Sequence, residues 1–108
     1  MTYVVVVLRR AQWDVDHIYD WIAKRSPAGA ESWYSALKRA VTGLSHHPES
    51  CSLAPESQEL HREIRQCFFK TRRGRLYRLL FIVAESEVRI LRVRGPGQPP
   101  VSHQEVGR

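Results

Sequence analysis

Apolar side chains in the first half of the chain recur at helical spacing. Between residues 11 and 25 they fall on one stripe of a helix, formed by Ala11, Val15, Ile18, Tyr19 and Ile22. A second such stripe runs from about residue 27 to residue 45, where Ser26 is placed to cap the helix and Pro27 to open it. Small alanines let the two helices approach closely. The pattern predicts an antiparallel helical hairpin.

The remaining apolar runs are short and rich in β-branched, aromatic and leucine residues, which is typical of strands. They cover residues 3–8, 64–69, 76–83 and 88–93. A polar connector over residues 48–60 precedes the last three runs, and we expect it to drape over the helices or to hold one short turn. We therefore predict an α+β fold with the order β-α-α-β-β-β, in which the helical hairpin packs on one face of a small antiparallel sheet.

A length of 108 residues is typical of one domain. We expect that domain to cover residues 1–97 and the polar residues 98–108 to form a flexible tail, because a run rich in glycine and proline follows the last strand. The three tryptophans are expected to be packing residues. Cys51 and Cys67 form no disulfide framework, and we expect them to be reduced thiols of a cytoplasmic protein. The apolar run after Tyr3 is too short for a signal peptide or a membrane span.

Charge changes this picture, because the strands are basic as well as apolar. The net charge is +6 and the pI is near 9.9. Most of the arginines lie in the second half of the chain, so we expect one face of the sheet to pack and the other to present guanidinium groups to an anionic partner. The competing interpretation is a surface charge that only keeps the protein in solution.

Side-chain alternation predicts which face each residue of the third strand occupies. Tyr77, Leu79, Phe81 and Val83 share one face, which we expect the helices to cover. Arg78 then lies on the opposite face, where we expect it to be partly exposed and replaceable by alanine without loss of stability. The alternative is an ion pair between Arg78 and a helix carboxylate. The same alternation places the arginines at positions 92 and 94 together, on a face that depends on the strand register.

The sequence contains few signs of a metal, cofactor or proton-transfer site. The spacing of His46, His47 and Cys51 matches no zinc pattern, and the chain has no phosphate-binding loop or dinucleotide fingerprint. We expect neither a metal nor a cofactor. Arginine stabilises developing charge but moves no proton, so an RNA-cleaving site would need another group. The candidates for that group are Tyr77, His61, Glu63 and His103.

Taken in order, these segments resemble the RelE/ParE family of toxins from bacterial type II toxin–antitoxin modules. The matching segments are A-Q-W-D-V-D-H-I-Y-D-W-I-A, S-P-A-G-A-E-S-W, A-P-E-S, R-E-I-R-Q-C-F-F, R-L-Y-R-L-L-F-I-V and V-R-I-L-R-V-R-G. They span about residues 3–97. The resemblance implies a growth-inhibiting toxin silenced by a cognate antitoxin. RelE-like members cleave messenger RNA in the ribosome, and ParE-like members poison DNA gyrase.

The resemblance also implies roles for particular arginines. Arg78 matches the strand arginine that RNA-cleaving members use at the scissile phosphate, and Arg65 and Arg94 complete the candidate catalytic set. The candidate basic face for the target or the antitoxin consists of Lys70, Arg72, Arg73 and Arg92. Gly95 stands where the last strand of such members commonly carries histidine, and their C-terminal tyrosine or histidine has no clear match. These departures favour the ParE-like function.

We therefore expect a toxin that inhibits DNA gyrase. A RelE-like endoribonuclease acting on messenger RNA is the alternative, and a non-toxic nucleic-acid-binding module is the second alternative. The expected partners are a cognate antitoxin, bound as a hetero-oligomer, and either gyrase or the ribosome with its message; no membrane is expected. The antitoxin should place an acidic or amphipathic C-terminal segment in the groove between the helical hairpin and the sheet.

Overall fold

The computed structural model describes residues 2–96, and its helices lie where the helical pattern predicts them. In chain order the elements are β1 (Val4–Val7), α1 (Arg9–Ala23), α2 (Pro27–Leu44), a 3₁₀ turn (Pro48–Ser50), α3 (Pro55–Glu59), β2 (Arg65–Phe69), β3 (Tyr77–Ala84) and β4 (Glu87–Arg94). Ser26 caps α2 as predicted, because its Oγ accepts a hydrogen bond from the backbone N–H of Gly29 at 2.9 Å. The helical hairpin and the predicted α+β class are confirmed.

The four strands form one mixed sheet with the order β1-β4-β3-β2. β2, β3 and β4 pair antiparallel, as predicted, whereas β1 pairs parallel to β4. Parallel neighbours need a long crossover, and here the helices, the connector and two further strands separate β1 from β4. The expectation of a purely antiparallel sheet is therefore wrong at this edge strand.

The helical hairpin covers one face of the sheet and forms the main core. Leu79 and Phe81 are fully buried in the same cluster as Trp33, and Tyr77 packs at its margin, so the predicted helix-covered face of β3 is confirmed. Packing is also confirmed for Trp33. The expectation of packing is wrong for Trp13 and Trp21, which are each 57% exposed. They lie two turns of α1 apart, off the stripe that packs on the sheet.

The opposite face of the sheet is covered as well, by the connector between α2 and β2. A second core forms there from Ala54, Leu60, Ile64, Leu80 and Leu91. Leu53 bridges antiparallel to Arg65, so the connector lies along the outer edge of β2 before α3 turns over the sheet. The expectation that this face is open for an anionic partner is wrong in this region. The reason is that the connector, although mostly polar, supplies Ala54, Leu60 and Ile64 to this second core.

The expected tail, residues 98–108, lies outside the described residues. Across residues 2–96, no helix has both the length and the apolar character needed to cross a membrane.

Candidate functional site

Arg78 lies on the face predicted for it, but its guanidinium is held by a carboxylate. Nη1 donates to Oε1 of Glu56 at 2.8 Å, and Nη2 donates to Oε2 of the same residue at 2.7 Å. Nη1 also donates to Oε1 of Gln66 at 3.1 Å. The side chain of Glu56 is 1% exposed and that of Arg78 is 21% exposed. This bidentate pair is the ion pair to a helix carboxylate that was the alternative for Arg78.

The pair changes the electrostatics of the site. The hydrogen bonds that Arg78 donates to Glu56 raise the pKa of Arg78 above its usual value, so the guanidinium stays charged and its charge is balanced by the carboxylate. Replacing Arg78 would remove the guanidinium that holds both oxygens of the buried Glu56 carboxylate. The expectation that Arg78 can be replaced by alanine at little cost in stability is therefore contradicted by the geometry. Its catalytic role stays a prediction.

Arg94 lies beside Arg78, as the candidate catalytic set requires. The two residues are direct cross-strand partners between β3 and β4, and Phe68 is the partner of Arg78 on the β2 side. Phe68, Arg78 and Arg94 thus form one row across three strands on the connector side of the sheet. Arg94 is 7% exposed, whereas Phe68 is 49% exposed at the outer end of the row.

Arg65 does not join this row. It alternates with Gln66 along β2, and because Gln66 reaches Arg78, Arg65 belongs to the helix-covered face with its cross-strand partner Phe81. Its Nη1 donates to the backbone oxygen of Cys51 at 2.7 Å, which ties β2 to the connector. The structure therefore does not bring Arg65 together with Arg78, and its placement favours a structural role.

Arg92, predicted for the basic face, is buried in an ion pair with α1. Its Nε and Nη2 donate to the carboxylate of Asp14 at 2.7 and 2.8 Å, and the backbone N–H of Val93 donates to the same carboxylate at 2.9 Å. The register pairs Arg92 with Leu80 and Arg94 with Arg78, so the two arginines do lie together as alternation predicts, but the pair with Asp14 leaves Arg92 only 6% exposed. The placement of Arg92 on an accessible basic face is thus wrong.

Those residues of the predicted basic face that remain accessible lie in the connection between β2 and β3. Its exposed cationic residues, called here the basic turn, are Lys70, Arg72, Arg73 and Arg75. Three of them were predicted for the basic face. The turn is closed by a hydrogen bond from the backbone N–H of Gly74 to the backbone oxygen of Thr71 at 3.1 Å. The basic turn thus lies at one end of the sheet, away from the region that the connector covers.

A groove of about 850 Å³ opens beside the basic turn, between α1, the start of α2 and the end of β4. This aromatic groove is lined by Trp21, Trp33, Tyr77, Arg73, Arg75 and Gly95, among others. The guanidinium carbon of Arg25 lies 4.0 Å from the ring centre of Trp21. An apolar floor with cations on its rim suits an acidic segment that also carries apolar side chains.

Two of the candidate proton-transfer groups, Tyr77 and Glu63, make their contacts away from Arg78, and His61 is exposed after the end of α3. Tyr77 faces the helix-side core, and burial raises its pKa above the usual value. The Glu63 carboxylate is 72% exposed and pairs with Arg65. His103 lies outside the described residues. No group of three or more potential metal ligands lies together within the described part of the chain.

Sequence reasoning missed the acidic residues that hold the arginines. Glu56 is 22 residues from Arg78 and Asp14 is 78 residues from Arg92, so neither pairing leaves a local pattern. One signal was present: Pro55 followed by Glu56 is typical of the first turn of a helix, and α3 does begin there. A second signal was the number of arginines in the strands, because any arginine that is buried requires a carboxylate partner.

Comparisons with known proteins agree with this fold. The family model described as "ParE toxin of type II toxin-antitoxin system, parDE" matches residues 5–98. Among solved structures, the toxin–antitoxin complex RelBE2 from Mycobacterium tuberculosis contains a similar chain, with 25% sequence identity and a TM-score of 0.50. The similarity covers 88% of the present chain and 99% of that one. A search of curated proteins found no match.

Proposed function

The chain belongs to the ParE toxin family of type II toxin–antitoxin systems, and from this premise we propose that it arrests growth by inhibiting DNA gyrase rather than by cleaving messenger RNA. It is a toxin that acts by binding. A cognate antitoxin silences it by occupying the surface that the target would use.

The single observation that carries this proposal is the engagement of Arg78. Both of its terminal nitrogens donate to Glu56, at 2.8 and 2.7 Å, so the fork that would grip a phosphate is already filled by a carboxylate. RNA cleavage requires that charge at the scissile phosphate and a nearby proton-transfer group. A protein with its strand arginine clamped and Tyr77 on the far face is better suited to binding than to catalysis.

The basic turn supplies the binding surface in this proposal. Lys70, Arg72 and Arg73 are exposed, and together with Arg75 they concentrate four cations within six residues. Such a cluster attracts acidic protein or DNA surfaces over long range and contributes charge-assisted contacts on docking. The target contact should therefore weaken when the turn is neutralised.

An experiment in cells separates the two target classes. After induction of the wild-type protein, growth should stop and plasmid DNA should lose negative supercoils or be cleaved, while messenger RNA on ribosomes stays intact. The pair Arg72→Ala and Arg73→Ala should require roughly tenfold more protein for the same effect. The matched control removes equal charge elsewhere, at the exposed Arg9 and Arg89. Codon-site cleavage of messages with unchanged plasmid topology would replace this proposal with the RelE-like one.

For the antitoxin, we place an acidic segment with apolar anchors in the aromatic groove. Trp21 is 57% exposed at its rim, and a half-exposed tryptophan beside cations is a typical hot spot of an interface. The net charge of +6 favours an acidic partner. The segment should be disordered alone and fold on binding.

The matched pair Trp21→Ala and Trp13→Ala tests this placement. Both side chains are 57% exposed on α1, but only Trp21 lines the groove. Calorimetric titration with the antitoxin should show a loss of about tenfold or more in affinity for Trp21→Ala, and little change for Trp13→Ala. Equal effects of the two substitutions, or an antitoxin segment that is basic, would contradict the placement.

A further inference from the structure

The connector meets β2 at one antiparallel bridge, two residues away from each of the two cysteines. Leu53 bridges antiparallel to Arg65. The bridge is flanked by hydrogen bonds from the backbone N–H of Gln66 to the oxygen of Ser52 at 3.0 Å, and from that of Ala54 to the oxygen of Ile64 at 2.7 Å. This arrangement makes the Leu53–Arg65 pair a non-hydrogen-bonded one.

The bridge itself is isolated, and extending its register by two residues places Cys51 opposite Cys67. That position corresponds to the next non-hydrogen-bonded pair, because such pairs recur at every second position. Residues in these pairs have Cα atoms about 4.5 Å apart, which lies within the roughly 4.4–6.8 Å range that a disulfide spans. Cys51 is also in an extended conformation, as this register requires, with φ −77° and ψ 146°.

The surroundings of the two thiols agree with this register. Both side chains are half-buried, and both pack on the margin of the helix-side core. Each thiol influences the pKa of the other, as neighbouring groups do. Burial raises the pKa of Cys51, and it raises the pKa of Cys67 to about 11, so both groups are protonated at neutral pH. The pair therefore rests as dithiol and needs an oxidant to change state.

We propose that Cys51 and Cys67 are a redox modification site that a peroxide converts to an intramolecular disulfide. The thiolate of one cysteine attacks a peroxide oxygen, forming a sulfenic acid and releasing water after protonation. The sulfur of the second cysteine then displaces the hydroxyl of the sulfenic acid, and its proton leaves with that hydroxyl as a second water. Two thiols are oxidised and one hydrogen peroxide is reduced to two waters.

The disulfide would fix the connector to β2 across a loop that contains α3. That loop carries Glu56, whose carboxylate pairs with Arg78. Oxidation would therefore stabilise the Arg78–Glu56 ion pair. Cross-linking of this kind stabilises a protein chiefly by restricting the unfolded chain. The backbone hydrogen bonds of Ala54 and Gln66 lie inside the closed loop, and their amides should exchange more slowly.

The test treats the full chain with hydrogen peroxide and maps it without reduction. Trypsin should release residues 40–62 joined to residues 66–70, from a protein that remains monomeric on a non-reducing gel, and dithiothreitol should separate the two peptides. The oxidised protein should melt about 10 °C higher or more than the reduced one. Cys51→Ser should abolish both the joined peptides and the rise in melting temperature without unfolding the reduced protein, since Cys51 lies at the margin of the core.

Three results would overturn the proposal. They are separate sulfinic or sulfonic acids on the two peptides, a disulfide between two copies of the chain, and a joined pair that melts no higher than the reduced protein. None of these readouts depends on toxicity, so the proposal stands or fails independently of the target.

Discussion

Replacing Arg78 by alanine is expected to destabilise the fold by about 3 kcal/mol. Removing one partner of a buried ion pair costs about 3–5 kcal/mol, because the remaining charge is left in a poorly solvated site. Here the remaining charge is Glu56, whose side chain is 1% exposed, whereas the 21% exposure of Arg78 lets some water reach the vacated site. These opposing features place the cost at the lower end of the range.

Urea or thermal denaturation measures this cost directly. A loss of about 3 kcal/mol corresponds to a fall of roughly 12 °C or more in melting temperature for a domain of this size. The matched control is Arg89→Ala, in which the side chains of the pair with Glu87 are 45% and 36% exposed, so its removal should cost less than about 1 kcal/mol. Replacing Arg78 and Glu56 together by methionine should recover part of the loss, because the Glu56 carboxylate is then no longer buried without Arg78. An Arg78→Ala variant as stable as Arg89→Ala would show that the Arg78–Glu56 ion pair does not stabilise the fold.

Three further expectations concern stability. Asp14→Asn should cost about 3 kcal/mol or more in thermal unfolding, because it removes the carboxylate charge that pairs with the buried Arg92, and Asp16→Asn on the exposed side of α1 should cost less than about 0.5 kcal/mol. Ser26→Ala should cost about 1 kcal/mol by removing the cap of α2. The pKa of Cys67 is raised from 9.0 to about 11, so its contribution to stability is complete below pH 9 and is lost as the pH rises towards 11. Urea unfolding at pH 8 and pH 10.5 should therefore show a larger alkaline loss for the wild type than for Cys67→Ala.

The parts of this fold that depend on local signals were predictable from the sequence. The cap at Ser26, the stripe on α1 and the alternation along β3 each depend on residues within a few positions of one another. The side of the sheet on which Arg78 lies followed from the same alternation.

The parts that depend on distant residues were not predictable. The parallel pairing of β1 with β4 joins the two ends of the described chain, and the burial of Arg92 depends on Asp14, which lies 78 residues earlier. Glu56 reaches Arg78 only because the connector turns back over the sheet. A polar connector of this kind carries no periodic pattern from which that path could be read.

Supercoiling of relaxed plasmid by purified DNA gyrase tests the central claim most directly. The account predicts that the wild-type toxin inhibits the reaction in a concentration-dependent manner, that the pair Arg72→Ala and Arg73→Ala inhibits roughly tenfold less well, and that the antitoxin restores full activity. Unimpaired supercoiling at a toxin concentration that arrests growth would contradict it.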